Sequence, residues 1–528
     1  MSGACKKKRI AALLAVLVLA MLLRAFNVGH TLSYDEAWNV NSIVDVATGQ
    51  TGDLFYGNFF RHPPLYTGLG VTFAVSFQGW SGNPGAFGSP DPRLTGSVRY
   101  WLATFMQVMS ILFSLGLITV IFLCGADWFN DRVGLAAAFL FACMPAARAY
   151  DSLAKQESLT LLLGMLFLLL FFRGKYALGG FFLGLAFLSK EIAVFIPLAL
   201  FVFLMAVWRR TAFKGFAVSA GVAALVAFWW YLFFSEGTGE FARFFLGRSV
   251  ESLNWGRPWY EYLIRLPRDV GWVALVLTVA GLLVTARQWR IFGFRAREGP
   301  LRPRHMAMFL LVWWVCCYLA LSISLGKPPW MVYSALPAVA LLAGVGLLGL
   351  WDAMKRPASR AAVAAVSLAL AVGLSAPVSF SDFFLRADRT YARGVTYREA
   401  AEYINDRVDG RGRVMVREND INPILSFYLG SYWPGGVSYV ESGAPRGRRP
   451  LMLLLPRGFG PGRVERSLEE WMPDFLIMRP GFDFTGEGDV AVRLAALSPP
   501  IDIKGLWVFN AVELCRGLKT VRQRPQGD

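Results

Sequence analysis

The chain has 528 residues, of which 55% are hydrophobic and only 17% charged. That balance excludes an ordinary soluble domain, which carries more charge and far fewer long apolar runs. The formal net charge of +17 does not point to nucleic acid, because the basic residues gather in short loops between apolar runs, the pattern of charge kept on the inner face of a membrane.

In chain order, Lys6-Lys7-Lys8-Arg9 precedes the apolar stretch Ile10 to Leu23. There is no small-residue cleavage site before His30, so this segment is expected to be a retained first span and not a signal peptide. Further apolar runs follow at 98–124, 133–147, 158–172, 177–188, 192–208, 215–234, 270–285, 306–325, 331–350 and 361–377. A spanning helix needs roughly 20 mostly apolar residues. The stretch 65–80 after His62-Pro63-Pro64 is also apolar.

Placing Lys6 to Arg9 inside puts residues 27–97 outside. Counting on, the inside loops become Arg173-Gly174-Lys175, Arg209 to Lys214, residues 287–304 and Lys355-Arg356, all of them basic. The outside loops become 148–157, 189–191, 235–268 and 326–330, and the tail after 378 is also outside. This parity predicts about eleven spans, with about thirteen if 65–80 crosses and another crossing compensates. The N-terminus is then cytoplasmic in a multi-pass cell-membrane protein.

From residue 378 the composition changes. Thr396 to Val408 has Ala400, Ala401, Ile404 and Val408 at helical spacing. Short β-like runs follow at 413–416, 437–440, 451–455, 475–478 and 506–509, alternating with helical stretches such as Ser467 to Trp471. Residues 441–449 and 457–466, rich in Gly and Arg, read as loops. The expectation is a membrane domain over 1–377 and a small extracytoplasmic α/β domain over 378–528. The six cysteines at 5, 124, 143, 316, 317 and 515 form no CxxC pair, which argues against cysteine chemistry as the function.

Five constellations carry candidate chemistry. Ser33-Tyr34-Asp35-Glu36 sits just beyond the first span, followed by Ala37, Val40, Val44 and Ala47 at helical spacing. Ser33 and Glu36 match a capping box, so Glu36 has a structural reading as well. Asp35, near a helix N-terminus, is held ionised by the helix dipole and is suited to accept a proton or bind a cation. Arg61-His62-Pro63-Pro64 reads either as a rigid entry into an interfacial helix or as phosphate and acceptor ligands.

Arg148 to Glu157 is the third. Asp151 and Lys155 fit an i,i+4 pair, and Glu157 fits a first-turn acid on the next span. Lys190-Glu191 lies between two apolar helices, where charge is costly and either snorkels or functions. Lys327, in Gly326-Lys327-Pro328-Pro329-Trp330, is the fifth, on the outer side by parity.

At Asp35-Glu36, His62-Pro63-Pro64-Leu65-Tyr66, Ser152 to Glu157, Gly184 to Lys190 and Lys327 to Pro337 the sequence resembles the polyprenol-phosphate-dependent glycosyltransferases of the GT-C fold. Dolichyl-phosphate-mannose protein mannosyltransferases and bacterial aminoarabinose lipid A transferases are of this kind. The resemblance implies a polytopic α-helical transferase that moves a sugar from a polyprenyl-phosphate donor to a protein, lipid A or cell-surface glycan. It implies Asp35 as the base with Glu36 beside it. It sets Lys155 at a basic position of its motif; from the residues themselves an inverting displacement is expected, with Lys155, Lys190, Lys327, His62 and Arg61 at the donor phosphate and Glu157 and Asp151 at the acceptor or at a divalent metal. Glu157 stands where relatives carry an aspartate, and Arg61-His62 where some carry an acid and a lysine, which leaves the metal open. No cofactor is otherwise implied, and membrane lipids are the remaining partners. Two rivals are a transporter or flippase component for lipid-linked sugars and a transferase using a diphosphate-linked oligosaccharide.

Overall fold

The computed structural model describes residues 3–29, 32–47, 64–81, 92–207, 210–233, 258–292, 303–323, 329–354, 365, 389–408, 414–417, 425, 437–439, 452–455, 461–478, 490–503 and 506–523. The chain forms two compact units. One comprises Met1–His30, Phe60–Tyr66 and Phe105–Ala387, and the other Thr31–Phe59, Thr67–Thr104 and Asp388–Asp528.

The helices up to the tail are α1 (Gly3–Ala25), α2 (Tyr34–Ala47), α3 (Pro64–Ser81), α4 (Pro92–Trp128), α5 (Asp131–Cys143), α6 (Pro145–Asp151), α7 (Glu157–Phe172), α8 (Tyr176–Ser189), α9 (Phe195–Val207), α10 (Arg210–Phe233), α11 (Glu261–Val270), α12 (Trp272–Phe292), α13 (Pro303–Ile323) and α14 (Leu336–Ala353). Short 3-10 turns, Glu191–Val194 and Pro329–Ala335, lead into α9 and α14. Among the described residues three helices are long and apolar enough to cross a membrane, Tyr100–Trp128, Pro303–Ser322 and Val332–Ala353, or up to five if each of two bent pairs is one span. Shorter apolar helices lie at Glu157–Phe172, Tyr176–Ser189, Ile192–Val207 and Ala212–Phe228. The expected run 361–377 lies outside the described residues apart from residue 365.

Local chemistry sets the breaks. The Asn130 side chain caps α5 by accepting from the amides of Arg132 and Val133, both at 3.0 Å. Met144 precedes Pro145 and is extended (φ −59°, ψ 128°), as a residue before proline prefers. The run 133–147 is therefore not one helix but α5 and α6, bent by 68°. The expected loop 148–157 correspondingly begins as helix, to Asp151. Gly174 at φ +76° turns the chain between α7 and α8, and Gly271 at φ +88° makes a 108° bend between α11 and α12.

Helix packing in the first unit uses small residues. A Cβ added to Gly346 would overlap the carbonyl oxygen of Leu277, and one on Gly281 that of Leu342, so α12 and α14 approach backbone to backbone. Gly180 and Gly184 let α8 lie as closely on Ser219, Val222 and Val226 of α10.

In the second unit, α15 (Arg389–Val408), α16 (Pro461–Trp471), α17 (Val490–Ala495) and α18 (Ala511–Gln523) accompany a six-stranded sheet. The strands are β1 (Val414–Arg417), β2 (Val437–Tyr439), β3 (Met452–Leu455), β4 (Phe475–Met478), β5 (Ile501–Ile503) and β6 (Leu506–Asn510), in the order β2-β3-β1-β4-β6-β5. β2, β3, β1 and β4 run parallel, while β6 is antiparallel to β4 and β5. All four residues of β4 are buried, as a central strand covered on both faces requires.

Met415, Leu476, Met478 and Phe509 of the sheet pack with Val464 and Leu468 of α16, Leu494 of α17 and Leu514 and Leu518 of α18. On α15, Ala400, Ala401 and Ile404 are buried, and Tyr403 meets Phe475 edge-on with 6.3 Å between ring centroids. The stretch 461–466, expected as loop, is helix: Val464 and Leu468 bury one face four residues apart, and this outweighs the local Gly and Arg content.

Candidate functional site

The described sequence candidates divide between the two compact units. In the second unit α2 begins at Tyr34, and the Ala37 amide bonds the Ser33 carbonyl at 3.0 Å. Glu36 is fully buried, and its Oε2 accepts from the Ser33 amide at 2.8 Å. That is one half of a capping box. The reciprocal half is absent, since Ser33 Oγ is buried without a hydrogen bond among the described residues. Asp35 is half-buried on the first turn. Within this unit α2 packs against α15.

The strongest polar cluster lies in the first unit and centres on Asp151. Arg24, at the end of α1, donates to Asp151 Oδ2 from Nε (2.9 Å) and Nη2 (2.6 Å). Its Nη1 donates to the carbonyls of Ala142 (3.1 Å) and Ala20 (3.3 Å). Ser114 of α4 donates to Oδ2 at 2.5 Å, Ser158 of α7 donates to Oδ1 at 3.0 Å, and Tyr333 donates to Oδ1.

Arg24 and Asp151 are both fully shielded from solvent. Five donors thus occupy a carboxylate with about four lone-pair sites. The i,i+4 partner expected for Asp151, Lys155, is not among them. Lys155 is itself buried, and its carbonyl accepts from Ser110 Oγ at 3.1 Å, which in turn bonds the Tyr66 hydroxyl at 3.1 Å.

Lys190 and Glu157 meet. Lys190 caps α8 in an extended conformation, and its Nζ lies 2.6 Å from Oε1 of Glu157 in the first turn of α7. The side chains are 13% and 2% exposed. Lys190 therefore does not snorkel away from the protein; it closes the junction between two helices. Thr160 Oγ1 donates to Ser189 Oγ at 2.9 Å at the same junction. Arg61, His62 and Lys327 lie outside the described residues.

A further charged group was not visible in the sequence. Residues 235–268 read as loop, yet α11 is a helix that turns Tyr262, Arg265, Leu266, Asp269 and Val270 inward. Arg268 donates to Asp269 Oδ1 from Nε (3.1 Å) and Nη2 (2.9 Å). Arg265, 5% exposed, stands 3.8 Å from Asp269 and 3.9 Å from Glu261, and no nitrogen of its guanidinium makes a hydrogen bond among the described residues. The signal was present as a 3- and 4-residue periodicity, but it is carried partly by charges. Arg24 was also missed. An ionisable residue at the end of an apolar run is itself a pointer.

No family model and no curated protein matches the sequence. Solved structures do. ArnT from Cupriavidus metallidurans bound to undecaprenyl phosphate aligns over 96% of this chain and 98% of its own, at 15% identity and a TM-score of 0.59, and its apo form gives 0.62. The Archaeoglobus fulgidus oligosaccharyltransferase in complex with Zn and sulfate aligns over 89% of this chain and 68% of its own, at 13% identity and a TM-score of 0.56. The same archaeal enzyme, AglB, with an inhibitory peptide and a dolichol-phosphate gives 12% identity and 0.54.

The chain has the GT-C fold. Within this GT-C chain, the described residues contain no group of three or more His, Cys, Asp or Glu able to hold a metal ion. Of the two acids considered as ligands, Asp151 is filled by donors and Glu157 is bridged to Lys190. Neither of these two acids is open to a metal ion among the described residues.

Proposed function

We propose that the protein is an integral membrane glycosyltransferase that moves a sugar from a polyprenyl-phosphate donor to an extracytoplasmic acceptor. The observation that carries this reading is the end-to-end structural match to ArnT bound to undecaprenyl phosphate, which spans nearly the whole of both chains. In this reading residues 1–377 form the membrane transferase domain, with about eleven spans and the N-terminus cytoplasmic. Residues 378–528 form the extracytoplasmic domain. The compact units divide the chain differently, adding residues 31–59 and 67–104 to the tail.

The reaction is an inverting displacement. An acceptor hydroxyl attacks the anomeric carbon, the bond from that carbon to the phosphate oxygen breaks, and the polyprenyl phosphate leaves with the electron pair. Asp35 takes the hydroxyl proton. General-base assistance of this kind contributes about 10²–10⁴-fold. Glu36, buried and bonded to the Ser33 amide, fixes the helix start that presents Asp35. Lys155, Lys190 and Lys327, with Arg61 and His62, supply positive charge to the departing phosphate, where preorganised cations act most strongly. Lys190 does so by exchanging its Glu157 contact for the donor phosphate.

The likeness to the oligosaccharyltransferase AglB supports a second reading in which the transferred group is an oligosaccharide, for which a diphosphate-linked donor is the form to test. One experiment addresses both. Purified protein in lipid is given labelled polyprenyl-monophosphate sugars, diphosphate-linked oligosaccharides or nucleotide sugars, together with membrane extract. Transfer from the monophosphate donors alone is expected. Transfer from the diphosphate donors supports the second reading. Movement of intact donor across the bilayer without sugar transfer sinks both in favour of a flippase.

A further inference from the structure

We propose that Asp151 is a positioning residue for donor binding: through Ser158 and Tyr333 it fixes the place of the Lys190 ammonium. The inference rests on the reading above, in which Lys190 meets the polyprenyl phosphate, and it gives Asp151 no contact with substrate.

The two carboxylate oxygens serve different parts of the first unit. Oδ2 accepts from Arg24 at the end of α1 (2.9 and 2.6 Å) and from Ser114 of α4 (2.5 Å). Neither helix carries a residue assigned to the phosphate. Oδ1 accepts from Ser158 of α7 (3.0 Å) and from Tyr333 in the 3-10 turn Pro329–Ala335. Both of those segments lead to Lys190.

One route runs through the start of α7. Ser158 directly follows Glu157, whose Oε1 lies 2.6 Å from Lys190 Nζ. Thr160, in the same turn, donates to Ser189 at 2.9 Å, and Ser189 is the chain neighbour of Lys190. The first turn of α7 therefore holds Lys190 by its side chain and by the residue before it. The other route runs through the turn that carries Tyr333. It packs against the 3-10 turn Glu191–Val194, which begins directly after Lys190. Lys190 itself is extended (φ −162°, ψ 141°) between α8 and that turn. With both flanks fixed, the direction of its side chain is fixed.

The chemistry of the anchor suits this task. Arg24 and Asp151 are fully shielded from solvent. Desolvation offsets most of the attraction in such a pair, and apolar residues of similar volume often stabilise a fold as well. Hydrogen bonds to a carboxylate add direction, which apolar contact does not supply. A buried charge at this point sets the geometry of the Lys190 junction more than it sets stability.

The test uses full-length protein in lipid with a labelled polyprenyl-monophosphate sugar at varied concentration. Wild type is compared with Ser158→Ala, Tyr333→Phe, Ser114→Ala and Lys190→Met. Binding of sugar-free polyprenyl phosphate and the thermal midpoint are measured on the same preparations. The three hydroxyl variants each remove one donor from the same carboxylate and leave the Arg24 pair in place. Tyr333→Phe also keeps the ring contacts with Phe141 and Tyr150, so it remains informative if Ser158→Ala does not fold.

Ser158→Ala and Tyr333→Phe are expected to raise KM and weaken polyprenyl-phosphate binding by about tenfold, the scale of one hydrogen bond to a charged group, with kcat within about twofold. Ser114→Ala is expected to lower the midpoint by a similar amount with KM within about twofold of wild type. A contact that only supports the fold moves the midpoint and not KM. Unchanged KM in both Oδ1 variants, with KM raised in Lys190→Met, overturns the inference and leaves the transferase reading standing. An equal rise in Ser114→Ala makes Asp151 a general support and overturns it too. Unchanged KM in Lys190→Met removes Lys190 from the phosphate and overturns both that assignment and the inference.

Discussion

The surroundings of Asp151 and of Asp35 treat the same side chain in opposite ways. Asp151 is sealed from solvent and receives five donors drawn from Arg24, Ser114, Ser158 and Tyr333. Asp35 is half-buried on the first turn of a helix, and the capping hydrogen bond at that turn goes to its neighbour Glu36. A carboxylate with every lone pair engaged holds elements together, because releasing any donor strands a buried charge. A carboxylate at a helix start with solvent access can gain and lose a proton during turnover. The difference teaches that acid content alone does not locate chemistry; solvent access separates the two carboxylates.

That contrast can be broken at several points, in order of expected effect. Arg24→Met leaves Asp151 buried without its cation and is expected to cost about 3–5 kcal/mol, read as a large fall in the thermal midpoint of detergent-solubilised protein. The double variant Arg24→Met with Asp151→Leu is expected to lose less than the sum of its two single variants. Additivity would mean the pair is not coupled.

Lys190→Met leaves Glu157, 2% exposed, without its 2.6 Å contact. Because Lys190 keeps some access to solvent, the expected stability loss is smaller, about 1–3 kcal/mol. Its main effect is expected as a raised KM for the lipid-phosphate donor. An unchanged KM removes Lys190 from the phosphate site.

Glu36→Ala removes half of a capping box and is expected to cost about 1 kcal/mol by chemical denaturation, whereas Glu36→Gln keeps the acceptor and is expected to retain turnover. Loss of turnover in Glu36→Gln would shift the base from Asp35 to its neighbour. Arg173→Gln is expected to change stability by less than about 1 kcal/mol, although its hydrogen bond to Asp127 at 2.6 Å raises the guanidinium pKa, because both groups are more than a third exposed and solvent screens them.

Much of the fold was legible because apolar runs and helical spacing are local signals. The runs 158–172 and 177–188 coincide closely with α7 and α8, and the β-like runs at 413–416, 437–440, 451–455, 475–478 and 506–509 fall on β1 to β4 and β6. β5 was not legible. Its three residues alternate at a sheet edge, with Ile501 and Asp502 exposed, too short a stretch to show a period. The helix α11 was hidden because charges occupy its inward positions.

The site was less legible than the fold. The i,i+4 rule offered Lys155 as the partner of Asp151, while the actual partner lies 127 residues away in sequence. Tyr333 reaches the same carboxylate across 182 residues. No spacing rule reaches that far. The Ser33 and Glu36 pattern was readable because both halves of a cap lie within one turn, though only one half forms.

The most direct measurement compares wild-type protein, Asp35→Asn and Glu36→Gln in the same lipid vesicles, following transfer of labelled sugar from a polyprenyl-monophosphate donor to membrane extract while thermal midpoints are recorded. Asp35→Asn is expected to keep its midpoint and lose transfer by at least about 100-fold, with Glu36→Gln near wild type. Normal turnover by folded Asp35→Asn would contradict the account.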